Sequence, residues 1–96
     1  MIVKLQASPL KMKRYQVALQ DGRTFDFGLK GGQTYIDHKD EKKREAYRKR
    51  HLANPTENKL INALIPSPAL FAYYLLWGPY PDLQKNINYL NGKWSR

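Results

Sequence analysis

The sequence predicts an α+β fold: a short antiparallel sheet from the first third of the chain, followed by three to four short helices, in a single domain over residues 1–96. Three observations predict it. Apolar positions alternate with a period of two before residue 30, a densely charged stretch stands behind a capping aspartate at Asp40, and apolar residues recur at helical spacing after residue 58.

The strands with their hairpin fill residues 1–32. Met1 to Ala7 alternates loosely, with Val3, Leu5 and Ala7 on one side, until Ser8-Pro9 breaks the run. Tyr15, Val17 and Leu19 then alternate, Asp21-Gly22 supplies a turn, and Phe25 and Phe27 alternate on the return strand. The register follows from keeping one face apolar. A two-residue turn sets Ala18 opposite Phe25 and divides the apolar residues between the faces. A three-residue loop of Gln20, Asp21 and a left-handed Gly22 sets Val17 opposite Phe25 and Tyr15 opposite Phe27.

Gly28 to Gly32 ends the strand, and Asp40 reads as the N-cap of a basic helix within residues 40–53. Its spacings Glu41/Arg44, Glu45/Arg48 and Glu45/Lys49 suit ion pairs worth about 0.2–0.5 kcal/mol each, which aid helicity more than fold. Ala46, Tyr47, His51 and Leu52 are all it offers a core, and Asn54-Pro55 stops it. Residues 58–91 hold apolar and aromatic helices. Leu60, Ile61, Leu64 and Ile65 have helical spacing up to Pro66. Ser67 and Pro68 then open a helix to Trp77 that is apolar on every side, and Gly78-Pro79 closes it. A helix of that kind needs cover all round, which a short chain is hard put to supply. Asp82 caps a last helix to Leu90, with Asn91-Gly92 as its stop.

Composition narrows the function. Seventeen Lys and Arg stand against eight Asp and Glu, a net charge of +9, and 42% of residues are hydrophobic, too many for simple disorder. The absence of cysteine removes disulfide scaffolds, thiolate metal sites and cysteine nucleophiles. The longest apolar run, Ala69 to Trp77, has nine residues. A bilayer span needs about 20, and no secretory h-region opens the sequence, so no transmembrane segment is expected. The surplus of positive charge favours an acidic partner, either nucleic acid or the surface of another protein.

The candidate partner-binding residues form two sets. Lys42, Lys43, Arg44, Arg48, Lys49 and Arg50 cluster on the basic helix, where they can neutralise phosphates, meet an acidic protein surface or stay solvated. Phe71, Tyr74 and Trp77 are of the types that anchor protein interfaces, and at their helical spacing they also suit a core. Gly28-Leu29-Lys30-Gly31 has the spacing of a phosphate-approaching G-x-x-G loop, but the strand before it makes turn glycines the better reading. His38 and His51 do not make a metal site, and Ser8, Ser67 and Ser95 lack a nucleophile-elbow context. No catalytic residue, metal, cofactor or small-molecule substrate is expected.

Lys13-Arg14-Tyr15-Gln16-Val17, Gly22-Arg23, Phe27-Gly28, Tyr35 with His38-Lys39-Asp40, Tyr47 with Arg50-His51, and Leu75-Leu76-Trp77 together resemble a small basic family of unknown function encoded by nucleocytoplasmic large DNA viruses. The resemblance runs from about Lys13 to Leu90. Glu41 stands where the family often opens the helix with proline, and Phe71 and Tyr74 replace two tryptophans. The resemblance implies no catalytic residue. It implies a virion component: a minor structural protein that cements other capsid proteins in a large icosahedral DNA virus, located in the capsid and, during assembly, in the host cytoplasm. The alternative is a basic nucleic-acid-binding protein packaged with, or acting on, the viral genome.

Overall fold

The computed structural model describes residues 1–95. Strands β1 (Ile2–Ala7), β2 (Lys13–Leu19) and β3 (Thr24–Leu29) form an antiparallel meander in that order. Helices α1 (Tyr35–His38), α2 (Glu41–Leu52), α3 (Pro55–Asn62), α4 (Pro68–Phe71) and α5 (Leu83–Trp94) follow, and α4 runs on through a π-helical turn over Ala72–Leu76. The fold is α+β, with five α-helices among the described residues where three to four were expected.

The β2–β3 hairpin has the register that an apolar face demands, Val17 opposite Phe25 and Tyr15 opposite Phe27. Gly22 takes φ 91°, its N–H donates to Leu19 O at 2.9 Å, and Leu19 N–H donates to Arg23 O at 2.8 Å, which closes the three-residue loop. β1 departs from simple alternation. An irregularity between Ile2 and Lys4 shifts its register against β2. Ile2 is therefore in the core with Leu5 packed against it, while Val3 points to solvent. Asn91 of α5 fixes the start of β1: its Oδ1 accepts Ile2 N–H at 2.8 Å and its Nδ2 donates to Ile2 O at 3.1 Å.

The apolar helix finds its cover within the chain, contrary to expectation. Leu70, Phe71, Tyr73, Tyr74, Leu75 and Leu76 are all buried. Phe71 sits against Phe25 and Phe27 of the sheet at ring distances of 5.4 and 5.9 Å, and Ile61, Ile87 and Leu90 bring α3 and α5 into the same core. The segment is central: strand, helix and helix close round it, so one short element serves as the inner wall for all of them.

Three boundaries moved, two for local reasons and one for a tertiary one. Asn54-Pro55 ends α2 and also starts α3, since Asn54 Oδ1 accepts the N–H groups of Thr56 and Glu57 and Pro55 occupies the first turn. α3 stops at Asn62 because Leu64 turns left-handed, φ 54°, and Ile65 N–H reaches back to Leu60 O at 2.9 Å. α5 runs past Asn91-Gly92 to Trp94, whose indole N–H donates to Leu64 O at 3.0 Å. The tertiary bonds of Asn91 and Trp94 hold a turn that the local sequence would release.

Two polar residues set how the layers meet. Asn86 is fully buried on α5; its Nδ2 donates to Leu75 O and Tyr80 O at 3.0 and 2.8 Å, and its Oδ1 accepts Tyr80 N–H at 3.0 Å. Those bonds shape the reversal after the π turn, where a Cβ on Gly78 would lie 2.0 Å from Tyr74 O, so only glycine fits. Arg14 of β2 donates from both terminal nitrogens to Asp37 of α1, at 2.7 and 2.6 Å. Thr34 N–H and Oγ1 complete the shell as a capping box.

The Arg14 guanidinium, and then the Thr34 bonds, hold the Asp37 carboxyl well below the ordinary carboxylate range. Its contribution to stability is thus fully present at neutral pH and is lost as pH falls through the usual carboxylate value near ~4 and further down. Asp37→Asn is expected to lower stability at pH 7 by roughly 1–2 kcal/mol and to flatten the acid limb, so that the gap between the two proteins in urea denaturation narrows steadily below pH ~4 and closes only below pH ~2. A gap that stays constant with pH would contradict this.

Candidate interaction surface

α2 offers its domain almost nothing apolar: none of its residues is fully buried. Arg44, Tyr47, Arg48 and His51 share one face by the i, i+3, i+4, i+7 rule, and all four are half-buried. Each has a specific partner. Arg44 Nε donates to Gly78 O at 2.6 Å, with its guanidinium 5.5 Å from the Tyr35 ring. The Tyr47 ring lies flat on Trp77, 4.2 Å between centroids and 8° between planes, and its neighbour His51 is 4.0 Å away. The Arg48 guanidinium lies 4.4 Å from the centre of the Tyr73 ring. His51 Nδ1 meets Glu57 Oε2 of α3 at 2.7 Å. An aromatic pair is worth about 0.5–1.5 kcal/mol beyond its area and a cation over a ring about 0.5–2 kcal/mol, so this clamp replaces the missing apolar stripe. Burial, and then the Glu57 charge, push the Tyr47 phenol up to about 12, so Tyr47 stays neutral where the stack needs it.

The clamp's entry turn is His38-Lys39-Asp40. His38 Nδ1 accepts Asp40 N–H at 2.9 Å, which places the ring proton on Nε2. Lys39 is left-handed at φ 57°, and the Asp40 carboxylate caps α2 by accepting Lys42 and Lys43 N–H at 3.0 and 3.2 Å. His38 also lies 5.3 Å from Trp77, and its Nε2 is buried with no hydrogen-bond partner among the described residues. This triplet builds a turn. Among the described residues, no three His, Asp or Glu side chains converge as metal ligands would.

The nine candidate residues fall into two groups. Arg44 and Arg48 face inward and are spent on the clamp. Phe71 and Tyr74 lie in the core, and Trp77 is half-buried under Tyr47. A partner therefore meets no aromatic anchor on α4 or its π turn except the exposed rim of Trp77. Lys42, Lys43, Lys49 and Arg50 face outward, and among the described residues none of them makes an ion pair. At 100° per residue, Lys42 and Lys49 form one row and Lys43 and Arg50 a second, each pair about 10 Å apart along the axis, with exposed Ala46 and Ala53 between the rows. The result is a cationic face with a low centre.

The tertiary roles of Arg14, Gly78, Asn86 and Asn91 escaped the sequence reading, which took Gly78 and Asn91 only as helix stops. Asn86 had a signal. It stands at i+3 from Leu83 on the face that Ile87 and Leu90 share, where a polar residue has to find internal partners. Arg14 and Asn91 had none, because their partners lie 23 and 89 residues away.

A family model described as a family of unknown function (DUF5754) matches residues 3–51. The chain belongs to that family. The matched stretch takes in β2, β3, α1 and α2 as far as His51, and therefore the Arg14–Asp37 tie, the His38-Lys39-Asp40 turn and the α2 half of the clamp. Tyr73, Trp77 and Gly78, the other half, lie beyond it. No curated protein and no solved structure matches the chain.

The inward and outward cations are expected to behave differently. Arg44→Ala and Arg48→Ala should each cost about 1–2 kcal/mol in chemical denaturation, whereas Lys42→Ala, Lys43→Ala, Lys49→Ala and Arg50→Ala should each stay within about 0.5 kcal/mol of the parent. Equal losses in both groups would contradict the division.

Proposed function

We propose that this protein is a non-catalytic minor structural component of a large icosahedral DNA virus, cementing other capsid proteins through the outer face of α2. The observation that carries the proposal is the set of four outward, exposed cations, Lys42, Lys43, Lys49 and Arg50, which make no ion pair among the described residues, Arg50 only edging the Tyr47 ring at 5.9 Å, while the fold consumes Arg44 and Arg48. Such a face steers and registers a partner bearing acidic patches, because like charges reject wrong partners and opposite charges speed encounter. The viral setting rests on the motif resemblance from Lys13 to Leu90. With the aromatic helix internal, docking relies on charge and on apolar residues elsewhere on the surface, not on Phe71 and Tyr74.

The second reading, a packaged nucleic-acid-binding protein, draws on the same face. Two rows of cations flanking alanines suit a phosphate backbone, and each phosphate neutralised steepens the fall of affinity with salt. The two readings separate cleanly. Quantifying the protein per purified particle before and after genome release should show it retained with the shell, and K42E/K43E/K49E/R50E should abolish its incorporation without unfolding it. Loss of the protein together with the DNA would overturn the capsid reading in favour of the second.

A further inference from the structure

At the end of the sheet opposite the Asp21-Gly22 turn, three apolar side chains stand in solvent: Leu10 at 50%, Met12 at 61% and Leu29 at 58% exposure. They are neighbours by backbone pairing. Lys30 N–H donates to Met12 O at 3.0 Å, Lys13 pairs with Leu29 across the strands, and Lys13 N–H closes the turn onto Leu10 O at 3.3 Å. Buried Ser8 fixes the base of this tip, accepting Leu10 N–H at 3.1 Å and donating to Asp26. Lys11, Lys13 and Lys30 alternate with the apolar residues, and no acidic residue occurs in 8–13 or 29–33.

We propose that this lysine-rimmed apolar tip seats the protein on an anionic lipid bilayer surface. The tip is preorganised by its turn hydrogen bonds and its apolar side chains are half exposed or more, so they are free to enter the headgroup and acyl boundary. The long lysine stems let the ammonium groups rise to the phosphates while their methylenes stay with the chains. A second copy of this chain is a poor occupant, since it would bring two sets of three lysines together. Nucleic acid would leave the three apolar side chains without a partner. A protein groove is disfavoured by composition: the tip has Leu, Met and Lys, while interface centres are enriched in aromatic residues and Arg and depleted in Lys. Three lysines at a negatively charged leaflet favour it over a neutral one by roughly a hundredfold.

A chain of net charge +9 adsorbs to anionic vesicles by charge alone, so the test reads insertion. The cysteine-free sequence allows a single environment-sensitive dye on M12C, with T56C on exposed α3 as control. With vesicles of phosphatidylcholine plus phosphatidylserine, the M12C dye should shift to the blue and the T56C dye should not, and neither should shift with phosphatidylcholine alone. L10S/L29S, which keeps the charge and replaces only exposed side chains, should keep its far-UV circular dichroism and lower vesicle partition roughly tenfold. Adsorption without a shift at M12C, as a tip built for an acidic protein groove would show, or partition unchanged in L10S/L29S, overturns the proposal.

Discussion

A helix whose residues are mostly Lys, Arg and Glu has no apolar stripe with which to join a core, so its place in the domain has to come from directional contacts. In this protein those contacts are the Tyr47–Trp77 stack and the two arginines beside it, Arg44 on the Gly78 carbonyl and Arg48 over Tyr73. Much else is arranged to make them possible. Gly78 can present its carbonyl there because it carries no side chain, a Cβ at that position falling 2.0 Å from Tyr74 O, and Asn86 holds that reversal with three hydrogen bonds. The π turn ends where Trp77 N–H reaches Ala72 O, which delivers the indole to the ring of Tyr47.

Directional attachment has a functional consequence. An apolar stripe would have required about half of α2 to be uncharged; a clamp of one tyrosine, one histidine and two arginines leaves the rest of the circumference free for cations. The same economy appears at the α1–α2 turn, where His38, Lys39 and Asp40 are used by the backbone: one as an acceptor, one in a left-handed conformation, one as a cap. A motif of that composition invites a catalytic reading, and its geometry gives it a structural one. Among the surfaces the fold leaves exposed are a charged outer face on α2 and an apolar, lysine-rimmed tip on the sheet.

The parts of this fold legible in the sequence are those governed by short-range rules. The β2–β3 register followed from keeping Tyr15, Val17, Phe25 and Phe27 on one face, and the α2 start followed from Asp40. Long-range partners were not legible. The bulge in β1, the extension of α5 past Asn91-Gly92 and the internal cover of the apolar helix all depend on contacts between residues far apart in sequence, such as Asn91 with Ile2 and Trp94 with Leu64. For the candidate site, charge singled out α2 but could not tell which of its cations face inward, because the inner face is recognised by arginines meeting aromatic rings and not by hydrophobicity.

The account depends on α2 being held by an aromatic and guanidinium clamp. Amide hydrogen exchange on Trp77→Ala tests it most directly. The account predicts that amides from Lys43 to Leu52 lose protection while those of β2 and β3 keep theirs, since the sheet packs through Phe25, Phe27 and Phe71. Unchanged protection in α2, or loss of protection in sheet and helix together, would contradict it.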